Sequence, residues 1–357
     1  MSPVDFLIQK VLPYFAPPFS SWRGFGEALF HQVLAVNDFE TPHAWPYLLT
    51  SLLIAWLVYR WGAAARAGES FWAFAFPPAL YGHRSARADY GFVAFDLATR
   101  SFFVAPLSSA LGWGVYKAAQ AVLPAVHHHA ISDPVVRGVT ASIAALLIFD
   151  FGYYVAHYLM HRIPSLWHFH EVHHSAEVLT PVTGYRVHPM ERLVMGVVVS
   201  LFTAVAALFY SRSFDQEARF LDLFGANAVL IALYSLGFQL RHSHIWFSYG
   251  PVGEHLLISP AQHQIHHSKD PKHWNKNFGY NLAAWDLLFG TLYVTHGPEA
   301  LEYGVPGTDP ADFATVPRLY LLPFAKAARG LRERLTPPAG QPERGLGSGS
   351  AEGDPAP

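Results

Sequence analysis

The sequence predicts an all-α protein: a polytopic transmembrane helical bundle with a cytosolic, histidine-rich di-metal cap. Three observations predict it. Hydrophobic residues make up 52% of the 357-residue chain and charged residues only 14%, whereas a soluble domain carries about 25% charged residues. Apolar stretches of bilayer-crossing length, about 20 residues, recur along it. Histidine occurs 21 times, and much of it is gathered into short repeated patterns.

The apolar stretches come in order. The first runs from Pro46 to Tyr59, and the second lies between Phe92 and Val126, interrupted by Asp96, Arg100 and Lys117. Val139 to Tyr158 is the strongest, followed by Leu193 to Tyr210 and by Phe220 to about Leu240. Arg60, Arg66, Arg84 and Arg87 follow the first stretch, Arg162, Arg186 and Arg192 lie between the third and fourth, and Arg241 and several lysines follow the fifth. Putting all these loops on one side gives a self-consistent alternation, and basic loops mark the cytoplasmic side. The histidine-rich segments fall on that side too. The protein is thus expected to be a multi-pass integral membrane protein with its site at the cytoplasmic face. The opening residues, with Asp5 and one lysine before Pro13, do not read as a signal peptide.

The expected division is an N-terminal membrane region over 1–138 with about two spans, a catalytic domain over 139–335, and a tail over 336–357. The tail is rich in Gly, Pro and Ser and buries too little to offset its ordering entropy, so it is expected to be disordered.

Composition also excludes. Lys and Arg total 24 and Asp and Glu 26, so no basic balance favours nucleic acid. There is no cysteine, which removes disulfides, thiolate metal sites, Fe–S clusters and cysteine nucleophiles. A protein-bound metal must rely on His, Asp, Glu, Asn or Gln.

His157-x-x-x-His161 ends the third apolar stretch. A spacing of four puts two imidazoles on one helix face. His170-x-x-His173-His174 follows shortly, and the same H-x-x-H-H pattern returns as His263-x-x-His266-His267. His242 and His244 lie just past the fifth stretch. These are nine or ten candidate ligands, where one zinc takes about three or four, so two metals are expected. Packing is a poor explanation for so many clustered imidazoles. Neutral rings would leave polar atoms unsatisfied, and charged rings would repel. His31, His43, His83, His127, His128, His129, His255 and His296 stand alone or in no ligand pattern and read as structural. All-nitrogen coordination suits Zn, Cu, Fe or Ni; an imidazole-rich pair beside a membrane suits redox iron. A membrane metal transporter or a zinc hydrolase are the rival readings.

From Asp150 to Tyr293 the chain resembles the fatty acid hydroxylase / sterol desaturase superfamily. The resemblance rests on Asp150-x-x-Tyr153-Tyr154-x-x-His157-x-x-x-His161, Leu166-Trp167-His168-Phe169-His170-x-x-His173-His174-Ser175 and Arg186-x-His188-Pro189-x-Glu191. It continues through Ser259-Pro260-x-x-His263-x-x-His266-His267-Ser268, Asn277-x-Gly279 and Trp285-Asp286-x-x-Phe289-Gly290-Thr291. It implies two iron ions held by His157, His161, His170, His173, His174, His242, His263, His266 and His267, with His244 less securely assigned. His188 is expected as a ligand, a substrate-side residue or a residue supporting the ligands, and His168 and His273 are not expected as primary ligands. Asp150, Glu171, Glu191 and Asp286 are candidates to orient the ligands from behind. The implied activity is O2-dependent hydroxylation or desaturation of a lipid held in the bilayer. Because no dinucleotide-binding or haem-binding segment is evident, electrons are expected from a separate donor protein.

Overall fold

Prolines and short polar caps mark where the helices begin. Trp45–Trp61 (α1) opens on Pro46. Arg84–Val122 (α2) is the longest element, at 39 residues. In Pro134–Arg162 (α3) Asp133 accepts the Val135 and Val136 N–H groups, and proline at the first helical position costs nothing because its N–H would be unpaired there. Pro164–His174 (α4) and Pro189–Phe214 (α5) follow. This is a computed structural model, and it describes residues 41–122, 133–214, 221–223 and 226–335, with Arg23, Gly26, Phe30 and 37–39 as isolated positions ahead of them. The tail over 336–357, His31 and His127–His129 lie outside the described residues.

Among the described residues the regular secondary structure is helical apart from one two-stranded ribbon, Asp222–Leu223 (β1) paired antiparallel with Ala226–Asn227 (β2), and two isolated bridges, Leu257 with Leu282 and Ser268 with Tyr303. Helices α2, α3 and α5 pack side by side as the bundle. Among the described residues two segments are long and apolar enough to cross a membrane, α3 and Pro189–Ala206 of α5. The two helices of the expected N-terminal membrane region differ in character. α1 has 17 residues; α2 is far longer but carries Asp96, Arg100 and Lys117, and Asp96 is paired with Arg192 of α5.

The fifth expected span is not one helix. After the ribbon, Asn227 accepts the Val229 N–H and starts Ala228–Tyr234 (α6), which has only 7 residues, about 10 Å against the roughly 30 Å of a bilayer core. Gly237, at φ +85°, then turns the chain into a 3-10 turn over Phe238–His242. The apolar side chains that suggested a span pack on protein instead: Tyr234 is buried against Tyr47 of α1. Breaking the helix here is what delivers Arg241 and His242 to the site.

Pro260–His266 (α7) is fixed by a reciprocal cap, in which Ser259 Oγ accepts the Gln262 N–H while Gln262 Oε1 accepts the Ser259 N–H. Ala284–Phe289 (α8) and Val316–Leu335 (α9) complete the described chain. α9 lies along α4 and against α2.

Candidate metal centre

Helix geometry distributes the two H-x-x-H-H motifs in a crossed way. One nitrogen each from His157, His161, His170, His174 and His266 lie within 4.8 Å of one another, and so do nitrogens of His173, His242, His263 and His267. In each motif the first and last histidines, one turn apart, enter one group, and the middle histidine crosses to the other. Residues i and i+4 differ by about 40° around a helix and i+3 diverges from i+4 by about 100°, so a single turn reaches both groups. The groups adjoin: the rings of His174 and His267 stack with centroids 4.5 Å apart.

The hydrogen bonds fix which nitrogens face inward. His157 Nδ1 donates to the Phe278 carbonyl at 2.8 Å. His170 Nδ1 donates to Glu191 Oε1 at 2.8 Å. A neutral imidazole has one N–H, so both Nε2 atoms present lone pairs. Yet those two Nε2 atoms are 3.1 Å apart. His266 Nδ1 donates to the Lys276 carbonyl at 2.7 Å, and its Nε2 is buried with no partner, as is that of His161. In the second group His242 Nε2 lies 3.1 Å from Nε2 of both His263 and His267 and 3.3 Å from that of His173; one proton cannot bridge three neighbours. Burial pushes the His170, His173 and His266 imidazoles down to about 3, which keeps them neutral near pH 7 with lone pairs available.

Facing lone pairs repel unless a cation lies between them. Metal–nitrogen bonds of about 2.0–2.1 Å place neighbouring ligand atoms roughly 3 Å apart, the spacing found here. The donor set therefore fits a transition metal in each group.

Carboxylates brace the site from behind. Glu191 holds His170. Asp286 accepts the Phe278 and Gly279 N–H groups at 2.8 and 2.7 Å and the Thr291 hydroxyl, so it sets the carbonyl that orients His157. Gly279 has no room for a side chain, since a Cβ would sit 2.3 Å from the Leu282 carbonyl. Asp150 accepts the Asn281 and Leu282 N–H groups and ties the same loop to α3. Substituting Glu191→Gln is expected to weaken metal retention by about 10- to 100-fold, read by competition with a chelator; unchanged retention would refute its role.

Three expected residues lie elsewhere. His244 joins neither group: the turn ends at His242, Ser243 is extended, and His244 Nε2 donates to the Phe74 carbonyl instead. His188 uses both nitrogens structurally, Nδ1 accepting the Met190 N–H and Nε2 donating to the Tyr320 carbonyl. Glu171 faces away, toward Lys326 at 2.9 Å and His168 at 3.3 Å.

Two supports carried no sequence signal as partners. Asp89 of α2 pairs with Arg186, and Gly184 stands against His242, where a Cβ would lie 3.0 Å from Nδ1. Gly184→Val is expected to displace His242 and loosen metal in the second group by about tenfold while sparing the first; metal titration resolves the two.

A helical protein with two adjoining all-histidine groups, each of which could hold a metal ion, is thus the class that fold and site define. Residues 142–291 match the fatty acid hydroxylase family. The chain is 30% identical to an ornithine lipid hydroxylase of Rhizobium tropici over 46% of its own length and 45% of that protein's. It is 28% identical to human alkylglycerol monooxygenase over 45% of its length and 32% of the relative's. It is 28% identical to a cholesterol 25-hydroxylase-like protein of Danio rerio, over 47% and 61% respectively. No solved structure gives a significant match. Over residues 142–291 the chain is similar to the fatty acid hydroxylase / sterol desaturase superfamily, and it spans less than half the length of the first two relatives.

Proposed function

We propose that this protein is a membrane-embedded, O2-dependent di-iron enzyme that hydroxylates or desaturates a C–H bond of a lipid. The observation that carries the reading is the pair of adjoining imidazole groups whose inward lone pairs are unsatisfied without cations. The relatives, named for hydroxylation of an ornithine lipid and for alkylglycerol monooxygenation, support the substrate class. In such a site a pair of iron ions supplies O2 activation and C–H oxidation.

The chain's own part is positioning and exclusion of water. His157, His161, His170, His174 and His266 hold one ion; His173, His242, His263 and His267 hold the other. Glu191 and the Phe278 and Lys276 carbonyls fix ring orientation, and a carboxylate behind an imidazole raises its basicity. Trp167 and Phe278 close over His161, at ring distances of 5.0 and 4.9 Å, shielding the first group from solvent.

The catalytic domain of this reading spans 139–335, with residues 1–138 as an N-terminal membrane region. The membrane setting draws support from α3 and α5, which leave Ile143, Leu147, Leu201 and Val205 exposed on their outer faces. The site lies at the cytoplasmic side, where the arginine-rich loops gather, and a separate protein delivers electrons.

The test is purification from membranes followed by metal analysis and turnover under 18O2 with lipid mass spectrometry. Two irons per chain and a lipid gaining one oxygen or losing two hydrogens are expected, as about the minimum such a centre requires. Active protein free of transition metal would overturn the proposal, and zinc with O2-independent hydrolysis would favour the hydrolase.

A further inference from the structure

α9 has two apolar faces. Its inner face is anchored: Leu319 is fully buried with Phe92 and Val172, the Phe324 ring touches Phe169 and His188 at 5.1 and 5.4 Å, and Lys326 pairs with Glu171. The outer face carries Pro317, Leu321, Ala328, Leu331 and Leu335 at helical spacing, with half-exposed Phe324 at the border between the two faces. That spacing draws a straight line along a helix. The line is exposed, with Leu321 at 67%, Leu331 at 60% and Leu335 at 74%. A soluble surface does not ordinarily present such a row.

Charge borders it. Arg329 and Arg332 fall along one edge of the apolar line, as does Arg318, which pairs with Asp312 at 3.2 Å, and Glu333 is the only acid in the helix. An exposed apolar stripe edged by arginine matches an anionic bilayer surface, which offers acyl chains beside phosphates. The position fits as well. Tyr320 stacks on Phe92 and packs edge-on against Phe95 of α2, and α4, on which α9 rests, begins two residues after α3 ends. The stripe therefore starts beside the ends of the bundle helices.

We infer that α9 is an in-plane membrane helix, seated with its Leu321–Leu335 stripe among the acyl chains and its arginines at the phosphates of anionic lipid. This rests on the membrane reading of the chain. It gives the metal centre a second attachment to the bilayer besides the spans: α9 grips α4, and α4 carries His170, His173 and His174.

The absence of cysteine makes the test direct. Single-cysteine variants of the full chain, Leu321→Cys, Leu331→Cys, Arg329→Cys and Leu147→Cys, are spin-labelled in nanodiscs of phosphatidylcholine with phosphatidylglycerol. Relaxation by O2 reports lipid, and relaxation by a water-soluble nickel chelate reports solvent. Labels at 321 and 331 are expected to show a several-fold O2 preference, and the label at 329 the reverse. Nickel-dominated relaxation at 321 and 331, with O2-dominated relaxation at 147 on α3, would overturn this inference and leave the membrane reading standing. Nickel dominance at all positions would overturn both. Protection of 321 and 331 from both agents would also overturn it, indicating a protein partner.

Discussion

His242→Ala is expected to remove about half of the bound metal and abolish lipid oxidation, whereas His244→Ala retains both metals. The two residues are separated by one serine. His242 Nε2 stands within 3.1–3.3 Å of three other Nε2 atoms, so its loss leaves three donors around a half-open position. His244 is occupied with the Phe74 carbonyl on the far side of Ser243. Metal content per chain, measured on purified protein of each variant, separates them. Equal losses would contradict the assignment of the second group.

Arg186→Met carries the largest expected cost in stability. Arg186 is fully buried. Its guanidinium donates to Asp89 Oδ1 at 2.8 Å, the Ser175 hydroxyl at 2.7 Å, the Val172 carbonyl at 2.9 Å and the Phe313 carbonyl at 3.2 Å. Removing one member of a buried pair strands the other charge, and costs about 3–5 kcal/mol. The expected fall in Tm is of the order of 10 °C, with loss of metal from both groups because Val172 and Ser175 flank His173 and His174. Pairing it with Asp89→Leu removes the stranded carboxylate and is expected to restore most of the Tm. A single variant that melts like the parent would show that the pair is not holding this end of α4.

The histidine patterns were legible because bringing nitrogens of one helix turn into two clusters imposes a helical period, and the period survives in sequence as H-x-x-H-H. Of the four carboxylates taken as candidates to orient the ligands, Glu191 accepts from His170 and Asp286 accepts from the Phe278 N–H, whereas Glu171 faces Lys326. Sequence spacing failed at His244 because two histidines flanking one residue share a face only in an extended strand, and here a 3-10 turn ends between them. The fifth span failed because apolar composition does not distinguish a lipid-facing helix from one packed on protein. Gly237 and Asn227 were the signals that the stretch is broken. The Asp89–Arg186 pair joins residues 97 apart in the chain, and no local pattern announces such a partner.

The crossing of the two H-x-x-H-H motifs has a consequence for assembly. His266 belongs with His157 and His170, while His173 belongs with His263 and His267. Neither histidine group is complete until the ribosome has passed α7, however early α3 and α4 are made. A chain cut short before α7 would keep four of the five histidines of the first group, on α3 and α4, but only His173 and His242 of the second, so the second group is the one that waits for α7.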